Sequence, residues 1–174
     1  MSRGGRYHYS CVGRTLFSGM FKAGQFVAQY IDPTTSVQIQ PNGVDLTLGS
    51  VFTQTTPGAI RIDSKAIGDR STLAPSPDSQ AYELDSGAYI VRYNETITIP
   101  ENHIGFIYPR SSLLRNSGMI NTAVWDAGYT GRGESLLQLH QPITIEQDAR
   151  IAQFVLADAT QSGTYDGSYQ EENI

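Results

Sequence analysis

The residues best suited to chemistry cluster between positions 108 and 131. The run Tyr108-Pro109-Arg110-Ser111-Ser112-Leu113-Leu114-Arg115-Asn116-Ser117-Gly118 sets a Pro and a Ser pair before a short helix-like stretch. Gly118 at its end suits the left-handed position that follows a helix. One or two helical turns here would gather free backbone N–H groups, the hydroxyls of Ser111 and Ser112 and the charges of Arg110 and Arg115, an arrangement that receives a phosphate. The same residues equally suit a helix whose serines cap it and whose arginines pair with carboxylates. The next run, Asn121-Thr122-Ala123-Val124-Trp125-Asp126-Ala127-Gly128-Tyr129-Thr130-Gly131, places two glycines around a Tyr and predicts a strand that turns sharply. An Asp before a tight turn commonly caps it. As a catalyst, Asp126 would instead orient and deprotonate a water molecule, with Tyr129 stacked on a sugar ring.

Two later runs each set an amide in an otherwise apolar stretch: Leu136-Leu137-Gln138-Leu139 and Arg150-Ile151-Ala152-Gln153-Phe154-Val155-Leu156. A strand alternates its faces, so Gln138 points away from Leu137 and Leu139, and Gln153 away from Ala152 and Phe154. Either amide can face water; turned inward, each asks for a polar ligand or a network. The tail Gly163-Thr164-Tyr165-Asp166-Gly167-Ser168-Tyr169-Gln170 alternates glycine with aromatics, as a mobile flap or a disordered terminus would.

The elements that must hold these residues are mostly strands. Short runs rich in Val, Ile, Thr and Tyr, bounded by Gly, Pro, Asn and Asp, predict β-structure over 44–48, 89–93, 96–99, 104–108, 135–140 and 151–156. Before them, Leu16, Phe17, Met20, Phe21, Phe26, Val27 and Tyr30 recur at helical spacing and predict one imperfect helix, weakened at Gly19 and Gly24. Residues 1–13 read as an arm, and the polar, Pro-containing stretch 63–79 as a surface loop. The expectation is an all-β core with short helices.

Composition narrows the partners. A chain of 174 residues, 39% hydrophobic and 17% charged, has the size and make-up of one folded domain. The formal charge, 12 − 17 = −5, argues against a nucleic-acid groove. Of the 12 cations only Lys22 and Lys65 are lysine, so the rest are arginine forks able to grip a local anion. Cys11 stands alone, and His8, His103 and His140 are far apart, which leaves no disulfide framework and no structural zinc site. No window approaches the ~18 apolar residues of a membrane span, and the N-terminus lacks a secretory apolar core, so a soluble, cytoplasmic protein is expected.

Taken in order, these segments resemble the superfamily of trimeric dUTPases and dCTP deaminases from about Gly43 to Gln170, closest to its deaminase-like dUTPases. Gly43-Val44-Asp45-Leu46-Thr47-Leu48-Gly49 is similar to the first motif, Pro109 to Arg115 to the second, phosphate-binding one, and Asp126 to Gly131 to the third, which holds the catalytic Asp and a sugar-stacking Tyr. Ala149-Arg150-Ile151-Ala152-Gln153 is similar to the fourth, and Tyr165 to Gln170 to the start of the C-terminal flap, residues 163–174.

The resemblance implies one distorted β-barrel or jelly-roll domain over residues 1–174, a homotrimer with shared active sites, and a Mg²⁺-nucleoside triphosphate substrate. It implies a nucleotide site of Arg110, Ser111, Ser112, Leu113, Leu114, Arg115, Thr122, Tyr129, Leu136, Leu137, Gln138, Gln153, Tyr165, Tyr169 and Gln170, with Asp126 catalytic. No protein group is expected to bind the ion directly, although Asp45 is placed to reach it through water. In the family's deaminases a Glu after the third motif shuttles protons. With a two-residue insertion at Gly133 and Glu134 that position is Gln138, an amide that cannot do so. Without the insertion Leu136 takes the position, and Glu134 stands two residues earlier as a proton carrier. The flap also departs from the pattern, with Ser168 and Glu172 where deaminases carry a Lys and a Gln. The expected activity is hydrolysis of dUTP to dUMP and pyrophosphate, with Tyr129 set against C2′ to reject ribonucleotides. The alternatives are dCTP deamination, alone or coupled to hydrolysis, and a catalytically silent nucleotide-binding trimer.

Overall fold

The computed structural model describes residues 20–174; the expected N-terminal arm lies outside them. Fifteen strands and three short helical turns follow one another along the chain. The strands are β1 (Ile31–Asp32), β2 (Ile39–Gln40), β3 (Gly43–Gln54), β4 (Ala59–Ile60), β5 (Lys65–Ala66), β6 (Arg70–Leu73), β7 (Ala81–Leu84) and β8 (Gly87–Tyr93). They continue with β9 (Thr96–Thr98), β10 (His103–Pro109), β11 (Gly118–Asn121), β12 (Thr130–Gly131), β13 (Glu134–Leu139), β14 (Ile143–Glu146) and β15 (Arg150–Asp158). The helices are α1 (Gly24–Val27), a 3₁₀ turn (Ala28–Tyr30) and α2 (Ser111–Arg115).

The main sheet runs β10-β15-β3-β8-β13-β11, and its end strands β10 and β11 approach each other, so it curls into a nearly closed barrel. The alternation of side chains explains why. Along β13, Ser135, Leu137 and Leu139 are buried while Leu136 and Gln138 face outward, and Val91 and Tyr93 of β8 point the same way as the inner set. With Val44, Leu46, Leu48, Phe154 and Leu156 they fill the barrel. Burying these side chains supplies the main drive to fold, at about 1.5–3 kcal/mol for each large one.

Three sequence expectations change. Of the helix expected across Leu16 to Tyr30, Leu16 and Phe17 lie outside the described residues. Met20 and Phe21 run extended along β15 instead, with Lys22 N donating to Leu156 O and Asp158 N to Met20 O. Only residues 24–30 turn helically. Gly24 owes its place to packing: a Cβ there would lie 1.9 Å from the Gln40 carbonyl oxygen. The stretch 63–79 is not all loop, because β6 pairs with the far end of β3, Val51 opposite Leu73 and Gln54 opposite Arg70. Its first three residues are exposed and only Leu73 packs on the core, so its pairing leaves no apolar alternation to read. Finally, the left-handed residue after α2 is Ser117, with φ 61°, and not Gly118. Gly118 begins β11 and makes room for the Leu113 side chain.

Candidate active site

The proposed phosphate-binding residues meet where three strands end. β10 delivers Arg110 just past Pro109, and antiparallel register sets Tyr108 opposite Gln153 and Gln153 opposite Asp45. Arg110 caps α2 with its backbone only; neither serine is a cap, and Ser111 and Ser112 stand exposed beside it. Arg110 Nε lies 3.0 Å from Asp45 Oδ2, and Arg150 Nη1 lies 3.2 Å from the same oxygen. Burial pushes the Asp45 carboxyl up, and the two guanidiniums pull it back down. Gln153 lies over Gly43, whose missing side chain leaves room for the amide. Arg115 has no ion-pair partner among the described residues, and Leu113 is buried in the core while Leu114 is exposed. Of the two readings of this run, Arg110 pairs with a carboxylate as the structural one requires, whereas the serines stay open as the ligand-binding one requires.

Asp126 lies elsewhere. Trp125 bridges antiparallel to Gly105 in mid-β10, both of its backbone groups bonded there, so Asp126 falls beside Ile104, six residues from Arg110 along that strand, roughly 20 Å at 3.4 Å per residue. Its carboxylate is exposed and has no hydrogen-bond partner among the described residues. It borders a cavity of about 410 Å³, shared with Val124, Trp125, Tyr129, Tyr165, Tyr169, Glu172, Glu134 and Arg70. A second cavity, about 390 Å³, opens on its other side between His103 and Thr164. Gly128, with φ 89°, makes the tight turn that brings Tyr129 back beneath Asp126.

Tyr129 is nearly buried, its ring edge-on to Trp125 at 5.0 Å and to Tyr165 at 5.6 Å. Its hydroxyl donates to Glu172 Oε1 at 2.9 Å, and burial followed by that carboxylate raises the phenol far above its ordinary range. The tail docks against this turn: Tyr165 N donates to Ala127 O, Glu171 N to Thr130 O and Arg132 N to Glu172 O. Gln170 spends its amide on the same turn, donating to Gly128 O and accepting from Thr130 N. Lys65 reaches Ser168 at 3.1 Å and lies over the Tyr169 ring, tying the tail to the β4–β5 hairpin.

The deaminase position has no unengaged carboxylate on the described chain. Both Glu134 oxygens accept from arginines, Oε1 from Arg92 at 2.9 Å and Oε2 from Arg70. Gln138 and Leu136 project from the outer face of β13 and border neither cavity. Leu137 is wholly buried, its backbone flanked by Tyr89 on one side and Ile120 on the other, so it presents no surface to a ligand; Thr122, just past β11, is half-buried. Sequence reasoning passed over Arg150, Arg70 and Glu172 as site residues. Arg150 sits beside Gln153 in a quoted motif and carries that much signal; Arg70 lies in a stretch read as loop and carries none.

Residues 21–159 match the dCTP deaminase-like family. A probable deoxyuridine 5′-triphosphate nucleotidohydrolase of Halobacterium salinarum is 56% identical over 157 residues, 88% of this chain and 95% of its own. The deoxyuridine 5′-triphosphate nucleotidohydrolase of Methanocaldococcus jannaschii is 39% identical over 144 residues, 81% and 92% of the two chains. In fold, the chain is similar to the 2′-deoxycytidine 5′-triphosphate deaminase of Agrobacterium tumefaciens, with a TM-score of 0.62 at 20% identity. That likeness covers 80% of this chain and 48% of the deaminase, so the chain spans about half the length of that structure.

Proposed function

The chain belongs to the dCTP deaminase-like family, and on that premise we propose that it is a dUTP diphosphatase, hydrolysing dUTP to dUMP and pyrophosphate. One observation carries the choice of reaction. Asp126 offers an exposed, unengaged carboxylate at a cavity, whereas Glu134 is held by two arginines and Gln138 is an amide. A base for water is present, and a free carboxylate for moving protons at the pyrimidine is not. The relatives named for dUTP hydrolysis support the same reading.

In this mechanism Asp126 accepts a proton from water as its oxygen attacks the α-phosphorus. The bond to the bridging oxygen breaks, and pyrophosphate leaves with that electron pair. Arg110, Ser111, Ser112, Arg115 and Gln153 hold the triphosphate in line. Tyr129 closes the cavity against the sugar at C2′, with Tyr165 and Tyr169 beside it. Mg²⁺ carried on the phosphate oxygens would neutralise charge developing on the leaving group. The donor set suits an ion that arrives with its substrate: no cluster of three or more His, Cys, Asp or Glu exists among the described residues, and the Asp45 oxygen nearest the site already serves two guanidiniums.

The same reading includes a homotrimer. A triphosphate spans roughly 10 Å from sugar to its last phosphorus at bonded spacings, short of the roughly 20 Å between the Asp126 and Arg110 backbones along β10. A second copy that brings its own Arg110 beside Asp126 would complete the site, and exposed Tyr108, Leu114 and Leu136 offer apolar surface for that contact. A cytoplasmic place of action goes with a nucleotide substrate; no helix among the described residues is long and apolar enough to cross a membrane.

Incubating the protein with dUTP and with dCTP, each with Mg²⁺, tests the proposal by chromatography of the nucleotides and a pyrophosphate assay. Formation of dUMP from dUTP with dCTP untouched is the expected result. Conversion of dCTP would establish deamination, and inertness toward both would favour a silent nucleotide-binding trimer.

A further inference from the structure

Asp45, Arg110 and Arg150 come from three distant segments, the start of β3, the entry to α2 and the start of β15, and meet at a single carboxylate oxygen. The Asp45 side chain is 2% exposed, while those of Arg110 and Arg150 are 31% and 34% exposed, so the anion is the fixed inner point from which both cations lean outward. Arg110 is held at two atoms: Nε on Asp45 and Nη1 on the Arg150 carbonyl oxygen at 3.1 Å. Arg150 is held through one atom, Nη1, which donates to both Asp45 Oδ2 and the Val37 carbonyl. Nη2 of Arg110 has no partner among the described residues, and Ser111 and Ser112 stand exposed next in sequence.

We propose that Asp45 is a positioning residue for phosphate binding, fixing Arg110 with Arg150 as the second arm so that the outer edge of the Arg110 guanidinium is presented to the triphosphate. The inference rests on the dUTP-hydrolysing reading above and deepens it at the same site. A negative charge beside a polyanion site is a liability unless it does something for the cations around it. Here one carboxylate against two guanidiniums leaves the cluster net positive. It also removes rotamer freedom that a long arginine would otherwise lose when it binds. Asp45 thus acts through arginine rather than through the metal's water shell.

The two roles predict opposite signs in the absence of metal. Binding of α,β-imido-dUTP is measured by calorimetry in EDTA for the wild type and for Asp45→Asn, with circular dichroism as the check on folding. Removing a carboxylate that served only Mg²⁺ would leave metal-free binding unchanged or tighten it. Positioning instead predicts binding weaker by about tenfold, in the range seen when groups that orient a ligand's partner are removed. It also predicts that Asp45→Asn has no further effect in an Arg110→Gln background, the non-additivity expected of residues acting through one contact. With Mg²⁺ restored, the KM for dUTP rises, while the Mg²⁺ concentration for half-maximal rate stays where it was. Equal or tighter binding by Asp45→Asn in EDTA overturns the inference. Should that variant not fold, Arg150→Gln decides: weakened metal-free binding supports positioning, and an unchanged Kd overturns it. Wild-type binding that appears only with Mg²⁺ overturns the inference alone, whereas no binding even with Mg²⁺ overturns the phosphate-site reading together with it.

Discussion

The hydroxyl of Tyr129 donates to Glu172 Oε1 at 2.9 Å, which fastens the last turn of the chain to the turn that carries Asp126. Around it the tail adds a parallel bridge, Gly131 to Glu172, and the Asn173 amide donates to the Arg132 carbonyl. The segment most open to movement is thus tied to the segment that holds the proposed base. Tyr129→Phe keeps the ring and removes this bond, leaving the half-buried Glu172 carboxylate short of a donor. We expect a loss of about 1 kcal/mol in urea denaturation. Protease cleavage beyond Tyr165 should speed up while the barrel strands stay protected.

The tail also responds to pH. Burial pushes the Glu172 carboxyl up, only partly offset by the Tyr129 hydroxyl. A carboxyl raised in the folded state binds its proton more tightly there than in the free tail. Docking is therefore strongest below the ordinary carboxylate range and weakens as pH rises through the raised value. Hydrogen exchange of the Glu171 and Arg132 amides should quicken with pH beyond the intrinsic chemical trend, and Glu172→Gln should remove the excess.

Asp126→Asn tests the base. The variant keeps the size of the side chain at an exposed position, so the fold and the affinity for dUTP should persist. The rate constant should fall by about 10²–10⁴, the usual share of a positioned general base. A variant with near wild-type kcat would remove Asp126 from the mechanism.

Separation of the two clusters along β10 gives a test of shared sites. Arg110→Gln and Asp126→Asn subunits, each inactive alone, should regain part of the wild-type activity when unfolded together and refolded as a mixture. Mixed trimers would contain sites that pair an intact Arg110 with an intact Asp126. No recovery on mixing would mean that a single chain supplies the whole site.

Deep in the barrel, Glu95 is buried with Thr47 N, Thr47 Oγ1 and Gln38 Nε2 all donating to it and no cation in contact. Desolvation raises its pKa, and the bonds from Thr47 and Gln38 offset part of that rise. The sign matches that of Glu172: stability is greatest with the proton on and declines as pH rises through the raised value. Urea denaturation between about pH 4 and about pH 8 should show the wild type losing stability relative to Glu95→Gln as pH increases. A flat difference would show that the three donors fully compensate the buried charge.

Local pattern alone determined the β-rich core, because period-two burial is written into stretches such as 135–140 and 151–156; Arg110, Ser111, Ser112, Asp126 and Tyr129 it marked only as candidates that suit capping and turning as well as chemistry, and the family resemblance gave them their expected roles. It could not say what those residues touch. That Arg110 leans on Asp45, that Glu134 is taken by Arg70 and Arg92, and that Tyr129 is held by Glu172 are contacts between residues 42 or more positions apart. Such pairs carry no periodicity. β6 escaped for a related reason, since its pairing is made by backbone while all but one of its residues, Leu73, are exposed. Tertiary structure also decided the distance between Arg110 and Asp126: sixteen residues of sequence leave it open, and pinning Trp125 to Gly105 in mid-strand sets it.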